Sequence, residues 1–151
     1  MEFDLQPDDS SGRRRRMNSR KNNLETQGRG AAAVSVLLVD DEEGYVHVLA
    51  NRLGRRHIDV TKAFSGTEAI QILRNRDFDV VILDLKMEDM DGIEVLKVMK
   101  KMVPQIEVIM LTGHGSEKAA KEGMDFGAFD YLTKPCELEE LLEKIRAAVR
   151  T

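Results

Sequence analysis

Five side chains in this sequence have the types and spacing to handle a phosphoryl group. Asp40 and Asp41 follow the apolar run Val34–Val39, and Asp84 closes Val80–Leu83. Thr112 closes Ile106–Leu111, and Lys134 follows Phe129–Thr133. Clustered carboxylates repel one another unless a cation lies among them. Hard oxygen donors with room for water and phosphate favour magnesium, Mg2+. A carboxylate can attack phosphorus to give an aspartyl phosphate. The metal and an ammonium would then neutralise charge on the phosphoryl oxygens. Taken singly, each acid reads as a solvated loop residue or a helix cap, and Lys134 as an ordinary surface lysine. Their coincidence at four strand ends carries the chemical reading.

The elements that must position these groups follow from the hydrophobic pattern. Val34–Val39, Val80–Leu83 and Ile106–Leu111 are short, nearly continuous apolar runs, as expected of strands buried on both faces of a parallel sheet. Ile58–Phe64 mixes β-branched and polar residues, as a more exposed strand would, and Phe129–Thr133 is a fifth strand. Helical patterns lie between them. Tyr45, Val48, Leu49 and Leu53 are expected on one helical face. Ser65-Gly66-Thr67-Glu68 forms a capping box ahead of Ala69, Ile70, Ile72 and Leu73. Ile93, Leu96, Val98 and Met99 mark a third helix, with Asp91-Gly92 as its turn and start. Ser116–Phe126 is a weaker fourth, interrupted by Gly123, and Leu138, Leu141, Leu142, Ile145 and Val149 mark the fifth. Alternation of five strands and five helices predicts a doubly wound α/β domain. In such sheets ligands sit beyond the carboxyl ends of the strands, where strand order reverses.

Composition is compatible with this. The chain has 151 residues, 42% hydrophobic and 33% charged, with a net charge of −4. No apolar run approaches the roughly 18 residues that span a bilayer, and no secretory h-region opens the sequence, so no membrane association is expected. The charge is uneven. Residues 1–33 carry +2, with a run of four arginines at 13–16, whereas the remainder carries −6. The acidic body argues against nucleic acid as its partner. Residues 1–33 have too few apolar side chains to offset ordering entropy and read as a disordered basic tail; Met17 is an alternative start. Residues 34–151 read as the folded domain. The single cysteine, Cys136, suits a reducing cytoplasm and reads as inert. His47, His57 and His114 show no ligand spacing. Met87, Met90, Met99, Met102, Met110 and Met124 read as gap-filling core or loop residues.

The segments VLLVDDEE, VVILDLKMEDMDGIEVLK, VIMLTGHG and DYLTKP resemble the four signature regions of bacterial two-component response-regulator receiver domains. The resemblance covers about residues 34–150. It implies a flavodoxin-like fold, with a five-stranded parallel sheet in the order 2-1-3-4-5. It implies Asp84 as acceptor of a phosphoryl group from a histidine kinase or phosphotransfer protein. It implies Mg2+ bound directly by Asp41, Asp84 and the backbone carbonyl of Lys86, with Asp40 acting through water. Lys134 and Thr112 would contact the phosphoryl group, Tyr131 would follow the movement of Thr112, and the Lys134–Pro135 bond would be cis. A downstream protein is expected on the face formed by the fourth helix, fifth strand and fifth helix. With no further domain after Thr151, a messenger or phosphorelay role is expected.

One position departs from the pattern. Family members often carry proline four residues after the acceptor, where this chain has Glu88, giving the acidic loop Glu88-Asp89-Met90-Asp91. A haloacid-dehalogenase-type phosphatase would need aspartate two residues after the nucleophile, where Lys86 stands. No GxGxxG or GxxxxGK[ST] loop supports nucleotide binding. The alternative from another class is a degenerate receiver that binds partners without phosphorylation.

Overall fold

The computed structural model describes residues 33–113 and 115–150. The tail over residues 1–32, Met17 and His114 lie outside the described residues. The strands are β1 (Val34–Val39), β2 (Ile58–Ala63), β3 (Val80–Asp84), β4 (Glu107–Thr112) and β5 (Asp130–Thr133). The helices are α1 (Glu43–Gly54), α2 (Gly66–Asn75), α3 (Gly92–Met102), α4 (Glu117–Asp125) and α5 (Leu138–Arg150). The strands form one parallel sheet in the order β2-β1-β3-β4-β5. Strand order therefore reverses at β1, and the carboxyl ends of β1 and β3 flank the crevice where such sheets bind their ligands.

Successive residues of a strand point to opposite faces, and the two faces make two cores. Leu37, Val39, Val81, Leu83, Val108 and Met110 face α2 and α3, against Leu73, Ile93, Leu96 and Met99. Val36, Leu38, Val80, Ile82, Ile109 and Leu111 face the other way, onto Leu49, Leu53, Leu141 and Ile145 of α1 and α5. Continuous apolar runs in β1, β3 and β4 are thus needed, because both faces of these strands are covered.

Local signals set the helix starts. Ser65 caps α2 by accepting the Glu68 N–H at 3.0 Å, and Glu68 reaches back to the Phe64 N–H at 2.8 Å, one residue earlier than a capping box strictly requires. Asp91 caps α3 through the Ile93 N–H at 3.1 Å. Gly123 lets α4 lie on the sheet: a Cβ there would fall 2.2 Å from Met110 Sδ. One helix differs from expectation. Val48 is 59% exposed, and the buried face of α1 is Val46, Leu49, Ala50 and Leu53. These lie at the i, i+3, i+4, i+7 spacing of one stripe, and the small Ala50 allows close contact where the sequence pattern favoured the larger Val48. No helix among the described residues is long and apolar enough to cross a membrane.

Candidate functional site

The ends of β1 and β3 place three carboxylates together. Asp40, Asp41 and Asp84 each offer an oxygen, and these lie within 4.8 Å of one another. Asp40 is fully buried and Asp84 only 5% exposed. Asp40 Oδ1 accepts the Glu42 N–H at 3.0 Å, and its Oδ2 accepts Lys134 Nζ at 2.7 Å. Asp84 Oδ1 accepts the Lys86 N–H at 3.2 Å, and its Oδ2 lies 3.7 Å from Lys134 Nζ. Asp41 Oδ2 accepts the Glu88 N–H at 2.9 Å.

The electrostatics follow from this crowding. Burial, and then the neighbouring Asp40 carboxylate, push the Asp84 acid up from its ordinary value to about 6, against the pull of Lys134 and the Lys86 N–H. Burial works against the charged form of Lys134, but its hydrogen bond to Asp40 and the charges of Asp84 and Asp40 hold it above the usual lysine range. The group is therefore a cation at neutral pH, facing more negative charge than it can balance.

Of the remaining expected residues, Thr112 and Lys86 fall at the same edge, and Tyr131 lies two residues short of the end of β5. Thr112 is 3% exposed at the end of β4, and its hydroxyl donates to the Leu132 carbonyl at a long 3.4 Å. The Lys134 N–H donates to the Thr112 carbonyl at 2.7 Å, tying the lysine to the end of β4. Tyr131 lies on β5, opposite Met110, with 39% of its surface exposed. The Lys134–Pro135 bond is cis. Lys86 is exposed in the loop after β3. Cys136 is half-buried, and burial followed by Glu140 pushes its thiol up, which disfavours the reactive thiolate.

Four participants were not singled out from the sequence. Glu42 offers Lys134 a second carboxylate at 3.3 Å. The ring of Tyr45 lies under the Lys134 ammonium, with 4.6 Å from Nζ to its centroid. The backbone N–H of Glu88 holds Asp41. Asp89, in the acidic loop, accepts the Gly66 N–H and both the N–H and hydroxyl of Thr67, each at 3.0 Å. Burial opposes its ionisation, but these bonds outweigh it and hold its carboxyl below the ordinary value. The base of the same loop is closed by Gly92, whose N–H donates to the Leu85 carbonyl at 3.1 Å. A Cβ on Gly92 would stand 2.4 Å from Leu85 Cα, so only glycine fits.

Comparison with known proteins decides the family. The family model of the response regulator receiver domain matches residues 36–146. The chain belongs to the response-regulator receiver family. It is 40% identical over 115 residues to the uncharacterized transcriptional regulatory protein YkoG of Bacillus subtilis, covering 76% of this chain and 50% of that protein. It is 38% identical over 114 residues to the transcriptional regulatory protein GlrR of Escherichia coli, covering 76% of this chain and 26% of that protein. The chain thus spans half or less of these relatives. Among solved structures, a response regulator receiver domain protein of Clostridium thermocellum superposes with a TM-score of 0.75 at 36% identity, over 78% of this chain and 94% of that one. A CheY-like receiver domain protein of Methanospirillum hungatei gives 0.75 at 28% identity, over 79% and 95%. None of these findings favours a degenerate receiver.

Proposed function

We propose that this receiver takes a phosphoryl group onto Asp84 from a phosphohistidine donor, a histidine kinase or phosphotransfer protein. The observation that carries the assignment is the convergence of three carboxylates and one ammonium at the reversal point of the sheet. The donor set fits a hard divalent cation: carboxylate oxygens within 4.8 Å of one another, one of them raised to about 6 chiefly by burial and then by its neighbour, hold charge that a cation would relieve. Asp41, Asp84 and the Lys86 carbonyl would hold Mg2+ directly, and Asp40 through water. When bound, the ion supplies neutralising charge to the phosphoryl oxygens.

The chain's own residues do the rest. An Asp84 oxygen attacks phosphorus, the phosphorus–nitrogen bond to the donor histidine breaks, and the electron pair leaves on that nitrogen. At pH 7 an acid held near 6 is mostly ionised and so is nucleophilic. Lys134, already 3.7 Å from Asp84, donates to a phosphoryl oxygen. The Thr112 hydroxyl can leave its long bond to the Leu132 carbonyl for a second phosphoryl oxygen. Tyr131, paired through β5 with β4, follows that movement and alters the face of α4, β5 and α5, where a downstream protein binds. Residues 34–151 form the receiver unit. Incubation with acetyl phosphate and Mg2+ is expected to add one phosphoryl group by intact mass, and Asp84→Asn to abolish it. Undiminished labelling of that variant would remove Asp84 from the role.

A further inference from the structure

Proline has no N–H to give. Where relatives by resemblance often carry proline, this chain has Glu88, and its backbone N–H lies 2.9 Å from Asp41 Oδ2. A proline at this position could not make the contact. It engages one oxygen of a carboxylate and leaves the other free. The loop that presents it is held at both ends. At its base, Gly92 bonds to the Leu85 carbonyl, and Lys86 pairs with Asp91 in an antiparallel bridge. Next to Glu88, Asp89 is fastened to the start of α2 by three hydrogen bonds of 3.0 Å. Beneath, Met90 and Val95 press on Gly66, where a Cβ would stand 2.7 Å from Val95 Cγ2.

We propose that the Glu88 amide is a positioning group for the cation site: it fixes the Asp41 carboxylate for binding, and Asp89 holds the loop that carries it. The proposal rests on the reading of Asp41 as a Mg2+ ligand. The physical reason is pre-organisation. Asp41 is half-buried, and an aspartate that nothing holds turns about its side-chain bonds and loses that freedom when it binds a cation. A carboxylate already held by an anchored amide has less to lose, and groups that orient ligands from outside the coordination sphere typically change metal affinity by roughly 10–100-fold. The same bond partly satisfies Asp41 before the ion arrives, among carboxylates that repel one another.

The test separates the amide from the side chain. Glu88→Pro removes the N–H, and Glu88→Ala keeps it. Mg2+ affinity is measured on the full chain by calorimetry, with circular dichroism to check the fold. Glu88→Pro is expected to weaken binding about tenfold, the low end of that range, and clearly more than Glu88→Ala. Asp89→Ala, which frees the loop without touching the amide, should weaken binding by less than Glu88→Pro does, and Asp89→Asn should restore part of the loss. If Glu88→Pro does not fold, the two Asp89 variants carry the comparison. In the Mg2+-free protein, exchange of the Glu88 amide followed by NMR is expected to be slowed and to speed up in Asp41→Ala. Equal affinities for wild type, Glu88→Pro and Asp89→Ala would overturn the proposal. So would equal losses in Glu88→Pro and Glu88→Ala, or an amide that exchanges alike in wild type and Asp41→Ala. Failure of the wild type to bind Mg2+, with the amide still protected, would instead bring down the reading of the site, and the positioning role with it.

Discussion

Replacing Asp84 by asparagine is expected to make the Mg2+-free protein more stable, although it removes the residue the chemistry needs. The acid stands at about 6 in the fold against an ordinary 3.8, raised first by burial and then by Asp40. A group that holds its proton more tightly folded than unfolded adds stability when protonated and loses it as pH rises between the two values. At pH 7 that loss is complete. A shift of about two units corresponds to about 3 kcal/mol at 1.36 kcal/mol per unit, which is a ceiling, since Asp40 and Lys134 readjust when the charge goes. Asparagine keeps the shape and an acceptor for the Lys86 N–H. The attraction between Asp84 and Lys134 is already contained in the raised value, so it is not subtracted again.

The expected gain is about 1–3 kcal/mol at pH 7, read from urea unfolding of both proteins. It should shrink towards zero near pH 4, where wild-type Asp84 is largely protonated in the fold. Saturating Mg2+ should offset most or all of this gain, because the ion stabilises the wild type by about 2.7 kcal/mol at a hundredfold excess over Kd. A variant no more stable than wild type at pH 7 would refute the crowding argument. A gain of the same size at pH 4 would show that its origin is packing and not charge.

Three further outcomes follow from the same geometry. Asp41→Ala should weaken Mg2+ binding more than Asp40→Ala, because Asp40 is fully buried and engaged with Lys134 at 2.7 Å; calorimetry giving equal losses would contradict this. Lys86→Ala should speed decay of the phosphorylated protein by ~3–10-fold, or about 0.7–1.4 kcal/mol of barrier. Among the described residues the Lys86 ammonium pairs with no acid, leaving it available to shield the phosphoryl group, and an unchanged decay would remove that role. Deleting residues 1–30, which are poor in apolar side chains, should leave both melting temperature and labelling nearly unchanged, and a fall of several degrees would show that the segment packs on the receiver.

The fold was legible because its signals are local. Short, mostly apolar runs of four to six residues bounded by turn signals suit strands covered on both sides, and Ser65 and Asp91 mark helix starts through bonds two or three residues long. Val48 was misplaced because helical spacing alone does not say which of two neighbouring stripes meets the sheet. The acids and Lys134 were legible because each closes a strand, and parallel strands bring their ends to one edge. Their partners were not. Glu42 stands 92 residues from Lys134, and Asp89 stands 22 and 23 from the amides it holds. Such pairings depend on the path of loops, and no periodicity encodes them. The Glu88 amide is less visible still, because a backbone N–H belongs to every residue except proline; the only trace in the sequence was that proline was missing.

On the proposed reading, Lys134 would relay charge at Asp84 towards a distant face. In the present state its ammonium leans towards Asp40 at 2.7 Å and Glu42 at 3.3 Å, above the ring of Tyr45, and is farthest from Asp84 at 3.7 Å. A phosphoryl group adds negative charge and three acceptor oxygens on the Asp84 side, so the balance of attraction shifts away from Asp40 and Glu42. The lysine cannot respond alone, because its own N–H is bonded to the Thr112 carbonyl at 2.7 Å, and Thr112 pairs with Thr133 one residue before it. Any displacement is therefore shared between the ends of β4 and β5. Among the described residues the Thr112 hydroxyl makes one bond, a long one of 3.4 Å, which would yield more easily than the backbone bonds around it. Tyr131 lies two residues before Thr133 on the same strand and is only partly packed, so its ring is free to follow. The site thus joins a closely bonded backbone to a hydroxyl held at 3.4 Å, and on the proposed reading that contrast would direct the change along β5.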